Sequence, residues 1–400
     1  MTLQGQLRWG GLWIIAVALL VSVTNILVYA GRHNVAIQAV YFAGYTGLIL
    51  TCTIIHIAQA RRAGILGLVA YLLSVLCLAY ANTVTFLGLA ELAGIAGAEQ
   101  ALDAVGGNPV MHLVMYGIFL GLILLGLSVA QAGEFPRWGG ILFALGIALQ
   151  LPAQFAKDLT GPLFFIFTIG GSVIFGAGLI WIGRVLWLGK CFTDEAPRLS
   201  NLDRTWGAPF VMLSALLLLI NAYINSVPDL TLLDGLVHLI STTAMLLIIV
   251  ILHTAQADRA GRMGLAGFFL THLGVTLNLI TAYFIIAQLA GQLENNRALM
   301  ASWVDIPVGR LGNYMILAGI FLFGASVIRA EVFPRWSGWL VVIGLALSLP
   351  VLFTTYDYLF SVFSVIGAAL EGIGIGWMGW TLLRMPTTST PYRNHEISPI

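Results

Sequence analysis

A carboxylic acid in the middle of an apolar stretch has the clearest capacity for chemistry in this chain. Glu371 sits in Ala-Ala-Leu-Glu-Gly-Ile-Gly-Ile-Gly, near the centre of an apolar run over 360–383. Ionisable side chains at mid-membrane depth are costly and mark ion or proton sites by default. Glu371 could bind a cation or carry a proton. Equally, it could stay protonated and hydrogen-bond a neighbouring helix, helped by close packing at its glycines. Asn25 and Asn221, and likewise Asn82 and Asn278, are two asparagine pairs separated by the same 196 residues. Amides in lipid must find partners, so they either join helices or line a polar cavity. Arg310 lies three residues past Pro307, as His112 lies three past Pro109. At that depth the arginine snorkels to the surface or lines an outward vestibule for an anionic ligand. These seven residues, Glu371, Asn25, Asn221, Asn82, Asn278, Arg310 and His112, are the candidate substrate-binding groups.

Other chemistries find less support. A haem held between helices needs two facing histidines. His238 and His253 are fifteen residues apart on one apolar run, about 22 Å of helix rise and too far for a single haem. His112 and His238 could share a site at the outer face. No serine–histidine, HExxH or paired-carboxylate arrangement occurs, and Cys52, Cys77 and Cys191 form no CxxC pairing. The chain is therefore expected to be no enzyme and to hold no cofactor or metal. The glycine-rich runs are small-residue faces for helix packing, not phosphate loops, which need a strand-to-helix turn.

Composition sets the medium in which these groups sit. Of 400 residues, 59% are hydrophobic and 9% charged, with a net charge of +1. Soluble domains carry about 25% charged residues. A water-soluble enzyme and an intrinsically disordered chain are both excluded, and no charge excess points to nucleic acid. The expected partners are the bilayer itself and a small-molecule substrate or a protein subunit.

A helix needs about 20 apolar residues to cross the hydrocarbon core. Twelve such stretches occur, at about 11–30, 38–58, 64–90, 110–131, 138–156, 163–187, 207–225, 235–254, 264–289, 307–328, 337–355 and 360–383. Basic residues accumulate on the cytoplasmic side. With the N-terminus inside, fourteen of the eighteen Lys and Arg residues fall on that side, and only Arg32, Lys157, Arg297 and Arg310 fall outside. The expectation is an all-α polytopic protein of the inner membrane, with twelve spans and both termini cytoplasmic. Arg8 and the apolar run after it resemble a signal peptide, but that run has an internal partner at 207–225, which argues that it stays.

The chain repeats itself. His56–Leu68 matches His253–Leu265 at nine of thirteen positions, offset by 197. Val129–Pro152 matches Val327–Pro350 at thirteen of 24, offset by 198. Two parallel six-helix repeats follow, 1–187 and 206–384, joined by a cytoplasmic linker at 188–205 and ended by a flexible cytoplasmic tail at 385–400. An even number of spans per repeat orients both alike, as in parallel-repeat transporters. Glu371 falls opposite Val173, so the repeated scaffold does not require it.

Two loop motifs recur with the repeat. Phe135-Pro136-Arg137-Trp138 returns as Phe333-Pro334-Arg335-Trp336. Proline stops a helix, arginine marks the cytoplasmic face and tryptophan prefers the headgroup zone; the loop fixes a turn, or serves as a hinge or docking point. The other loop holds Arg61-Arg62-Ala63-Gly64 and Asp258-Arg259-Ala260-Gly261-Arg262. The second copy resembles the Asp-Arg-x-Gly-Arg loop between spans 2 and 3 of the major facilitator transporters. That resemblance implies that Asp258, Arg259, Arg262 and Arg62 brace one cytoplasmic conformation. A dibasic topology signal with a helix-stopping glycine accounts for the same residues. The six-span unit with its Pro-Arg-Trp turn also looks like a group of uncharacterised bacterial membrane proteins, here duplicated in tandem, which implies a fold and no activity.

Three functions fit these features. The first is a secondary transporter of a small solute whose two halves rock about a central site. The second is a non-catalytic subunit or scaffold held in a complex by its loops. The third is a haem- or quinone-linked redox protein.

Overall fold

The structure, a computed structural model, describes residues 2–95, 98–106, 109–155, 162–190, 201–225, 232–289, 307–349 and 358–385. The core of the linker at 191–200, the tail from 386, and Pro350, Lys157 and Arg297 lie outside them. Every regular element among the described residues is helical. In order they are α1 (Leu3–Tyr29), α2 (Val35–Leu92), α3 (Ala98–Gly106), α4 (Pro109–Ala132), α5 (Arg137–Phe155) and α6 (Pro162–Phe165). A π turn over Ile166–Gly170 leads into α7 (Gly171–Trp187). Then follow α8 (Asn201–Asn225), α9 (Leu232–Leu289), α10 (Pro307–Ala330), α11 (Arg335–Ser348) and α12 (Tyr358–Arg384). The helices lie on the apolar stretches of the sequence, and nine among the described residues are long and apolar enough to cross a membrane. The chain is a multi-pass helical membrane protein. In lipid every backbone polar group must be satisfied within its own segment, which only helices or closed barrels achieve.

The two longest elements show how the chain turns. α2 and α9 each run 58 residues, and each bends sharply at one glycine, Gly64 (φ 57°, ψ −154°) and Gly261 (φ 62°, ψ −158°). A side chain at such a backbone conformation is strained, so glycine is required. Each helix is thus two arms folded at the loop motif, and the two bends are 197 residues apart. The same register carries side chains. His56 stacks on Tyr71 (ring centroids 4.5 Å, 7°) and His253 stacks on Phe268 (4.5 Å, 16°). α4 and α10 both start at proline and both span 24 residues. α5 and α11 both begin directly after proline, whose carbonyl accepts from the backbone N–H of Gly139 and of Ser337 (2.8 and 2.9 Å).

Small residues set the helix spacing. A side chain on Gly11 would strike the backbone of Gly183 and Trp187 on α7, and one on Gly146 would strike that of Phe175. α3 lies between the apolar stretches 64–90 and 110–131, outside every span expected from the sequence. Its Ala98 and Ala101 are buried with Phe42, Phe86 and Leu87, an i, i+3 stripe too short to register as a span.

Candidate functional site

A cavity lies inside the first half of the chain. It holds about 500 Å³, within the usual range for small-molecule pockets. Its wall is built by α1, both arms of α2, α3, α4, α5 and α7. Along the first arm of α2 the lining runs from Gln38 to Leu48, about 15 Å of helix rise. It opens at the end of the bundle opposite the Gly64 bend, where His33 and Glu91 are exposed. Most of the lining is apolar, including Leu48, Leu78, Leu122, Ile147 and Phe175.

A few polar groups interrupt that lining. Asn25, on α1, is 5% exposed, and its Oδ1 is enclosed with no hydrogen-bond partner among the described residues. Gln150, on α5, is 6% exposed and donates through Nε2 to the Gly146 carbonyl (3.2 Å). Tyr41 donates to Tyr45 (3.0 Å), and Gln38 donates to the Thr85 carbonyl (3.0 Å). The π turn ends at Gly171, against which Gln150 packs; such turns frequently occur at functional sites.

Of the seven groups expected to bind substrate, Asn25 alone lines this cavity. Asn82 donates to Thr46 (2.9 Å) and accepts from Thr85 (3.2 Å). Asn278 donates to Asn313 on α10 (3.3 Å). Oδ1 of Asn221 accepts from His238 Nδ1 (3.1 Å), and His238 also faces Asn278. The paired asparagines therefore play unequal parts. Their 196-residue spacing is one short of the 197-residue register of the bends, and one residue turns a helical side chain by about 100°. Glu371, half-buried on α12, packs against Gly344 of α11 within the second half, away from the cavity. His112 and Arg310 are exposed. Among the described residues no cluster of three or more His, Cys, Asp or Glu side chains is arranged to hold a metal, and Cys52 and Cys77 are free thiols.

The loop groups meet partners at the opposite end, near the bends. Asp258 Oδ1 accepts from the backbone N–H of Leu3 at the start of α1 (3.0 Å), 255 residues away. One turn on, Gln6 donates to the Ala257 carbonyl (2.9 Å) and accepts from His253 Nε2 (2.9 Å). The seam continues through buried His272, whose Nε2 lies 3.1 Å from Thr53 Oγ1. Thr53 Oγ1 also lies within hydrogen-bond distance of the Ile49 carbonyl (3.1 Å) and the Tyr71 hydroxyl (3.4 Å). Farther along, Tyr283 donates to the Leu76 carbonyl (3.3 Å) and its ring meets Tyr80 edge-on. Arg62 pairs with Glu134 (3.1 Å), which precedes the Phe-Pro-Arg-Trp turn. Arg335 pairs with Glu331, whose carboxyl it holds below the ordinary range, with a smaller contribution from Arg259. Arg262 is exposed, as are Arg137, Trp138 and Trp336.

Sequence reasoning missed the cavity's Gln38, Tyr41, Tyr45 and Gln150 and the seam's Gln6, Thr53 and His272. Polar residues inside apolar runs were the available signal; Gln6 and Gln150 carry no other mark. Comparison with known proteins finds no matching family model, no similar curated protein and no similar solved structure.

Proposed function

We propose that the protein is a secondary transporter of a small, uncharged solute, with the cavity of the first half as its binding site. The observation that carries this reading is a 500 Å³, mostly apolar cavity lined by the buried Asn25 amide, whose Oδ1 has no hydrogen-bond partner among the described residues. Unsatisfied buried polar groups are costly and rare, and a site that binds a polar ligand is one setting that accounts for them. In this reading the chain forms two parallel six-span repeats, 1–187 and 206–384, in the inner membrane with both termini cytoplasmic. The bonds among Leu3, Gln6, His253 and Asp258 lock the cytoplasmic end while the cavity opens outward. Asp258 then braces a conformation, as the likeness to the major facilitator loop implies. Glu371, set apart from the cavity, fits coupling or packing within the second half.

Binding is tested with 1-aminoanthracene, a neutral fluorescent probe of apolar cavities. Wild type in detergent should bind it saturably. Ala81→Trp, at a buried cavity-lining position, should not. Equal fluorescence from both would overturn the assignment. Rocking is tested with spin labels at Ile65 and Arg262, the residues following the two bends, with Cys52, Cys77 and Cys191 replaced by alanine. Saturating probe should change the distance distribution. An unchanged distribution, together with stoichiometric partners in a native pull-down, would favour a scaffold subunit instead.

A further inference from the structure

The cavity's polar groups are few, uncharged and incompletely used, which narrows what it takes. Asn25 has an enclosed Oδ1 without a partner among the described residues. Gln150 gives one Nε2 hydrogen to the Gly146 carbonyl and keeps a second to donate. Tyr45 accepts from Tyr41 and keeps its own hydrogen to donate. The two amides flank one stretch of α7. Ser22, a turn before Asn25, donates to the Ser172 carbonyl (3.2 Å), and Gln150 packs on neighbouring Gly171. No Lys or Arg among the described residues lines the cavity, and its acidic and histidine lining residues, Glu91 and His33, are exposed at the rim. An ionised ligand would be stripped of water at depth with no countercharge, which is strongly unfavourable.

We infer that the cavity takes an uncharged molecule with an apolar body and one head group that both donates and accepts a hydrogen bond, an alcohol or a phenol, and that Asn25 and Gln150 read that head. This rests on the cavity being a solute site. Discrimination follows from the amides: a head that cannot answer them leaves buried polar groups unpaired, and sites of this kind reject such analogues.

Three probes sharing one ring system test the inference by displacing 1-aminoanthracene from the purified full-length protein at fixed detergent concentration. 2-Naphthol donates and accepts, 2-methoxynaphthalene only accepts, and 2-naphthoate is charged. In wild type, 2-naphthol should displace the dye at about tenfold lower concentration than the ether, the effect of one hydrogen bond, and 2-naphthoate should fail. In Asn25→Leu the gap between naphthol and ether should fall below about threefold. In Gln150→Leu, which removes a donor to the head's oxygen, naphthol and ether should weaken together and the gap should remain. Asn221→Leu, whose amide is bonded to His238, should leave both affinities and the gap at their wild-type values. If Asn25→Leu does not fold, Asn25→Ala carries the test. Equal displacement by naphthol and ether in wild type, preference for naphthoate, or a gap surviving in the Asn25 variant would overturn the inference. Dye binding that is equal in wild type and Ala81→Trp would instead overturn the cavity as a solute site.

Discussion

The two halves of the chain place different side chains on the same register. In the first half Tyr41, Tyr45, Ala81 and Met115 line the cavity. The matching positions of the second half, 197 or 198 residues on, hold His238, Thr242, Asn278 and Asn313. There the polar groups answer one another: His238 bonds Asn221 and faces Asn278, which donates to Asn313. A satisfied network, here half-buried, restrains its surroundings. The first half has apolar or phenolic side chains at these positions and leaves the Asn25 amide facing space. At these positions one half encloses a cavity beside an unused Asn25 oxygen, and the other spends its amides on one another.

The strongest way to break this comparison is to transplant the network. Tyr41→His with Ala81→Asn and Met115→Asn gives the first half three of the four polar side chains of the second half. We expect 1-aminoanthracene affinity to fall by about a hundredfold, or nearly 3 kcal/mol, measured by fluorescence titration. Unchanged affinity would mean that these positions do not decide which half is hollow.

Stability sharpens the same contrast. Asn278→Ala removes the partner of Asn313 and one neighbour of His238, and unpairing these half-buried groups should cost about 1–2 kcal/mol in total. Asn25→Leu removes an amide whose oxygen has no partner among the described residues and should cost less than about 0.5 kcal/mol. Thermal unfolding of the two variants in one detergent measures both. Equal losses would remove the distinction between spent and unused amides.

The bends should not differ at all. Gly64→Ala and Gly261→Ala both place a side chain in a backbone region that is nearly glycine-only, at about 2 kcal/mol each. Matched drops in unfolding temperature are expected, and a twofold disparity would show that one bend is held by its surroundings and the other by glycine.

Much of this architecture was legible in the sequence. Gly64 and Gly261 sit in the strongest repeated motif, and the prolines before Arg137 and Arg335 announce helix starts. Apolar length gave the helices because lipid leaves the backbone no alternative. The site was harder to read. Asn25, Asn82, Asn221 and Asn278 are alike in type and near-alike in spacing, yet one residue of register rotates each toward a different neighbour. Glu371 drew attention by its charge, while Gln150 and Tyr45, which carry none, line the cavity. Asp258 stood out through its loop motif, but its partner, the backbone of Leu3, has no side-chain signature. Contacts between residues so far apart in the chain depend on how the helices pack, which periodicity within one helix does not contain.

The smallest expected effect concerns the ends of α4 and α10. Gly133 (φ 71°) and Glu331 (φ 55°) take the same left-handed position 198 residues apart. Glycine is free there and glutamate is not. Glu331→Gly should therefore raise the unfolding temperature by roughly 1–2 °C, since the exposed pair it loses with Arg335 contributes little. The sign with pH follows from that pair. Arg335 depresses the Glu331 carboxyl, so whatever the pair adds is present at neutral pH and fades as pH falls through the lowered value. The variant's advantage should accordingly widen on acidification. A narrowing would show that the ion pair, and not the backbone, sets the balance at this turn. Gly133→Glu is the mirror test. It adds the backbone strain and sets the new carboxylate four residues before Arg137, as Glu331 stands four before Arg335. Its unfolding temperature should fall by roughly 1–2 °C, the same interval with the opposite sign; a larger fall would mark repulsion from the neighbouring Glu134, which stands where the second turn has Val332.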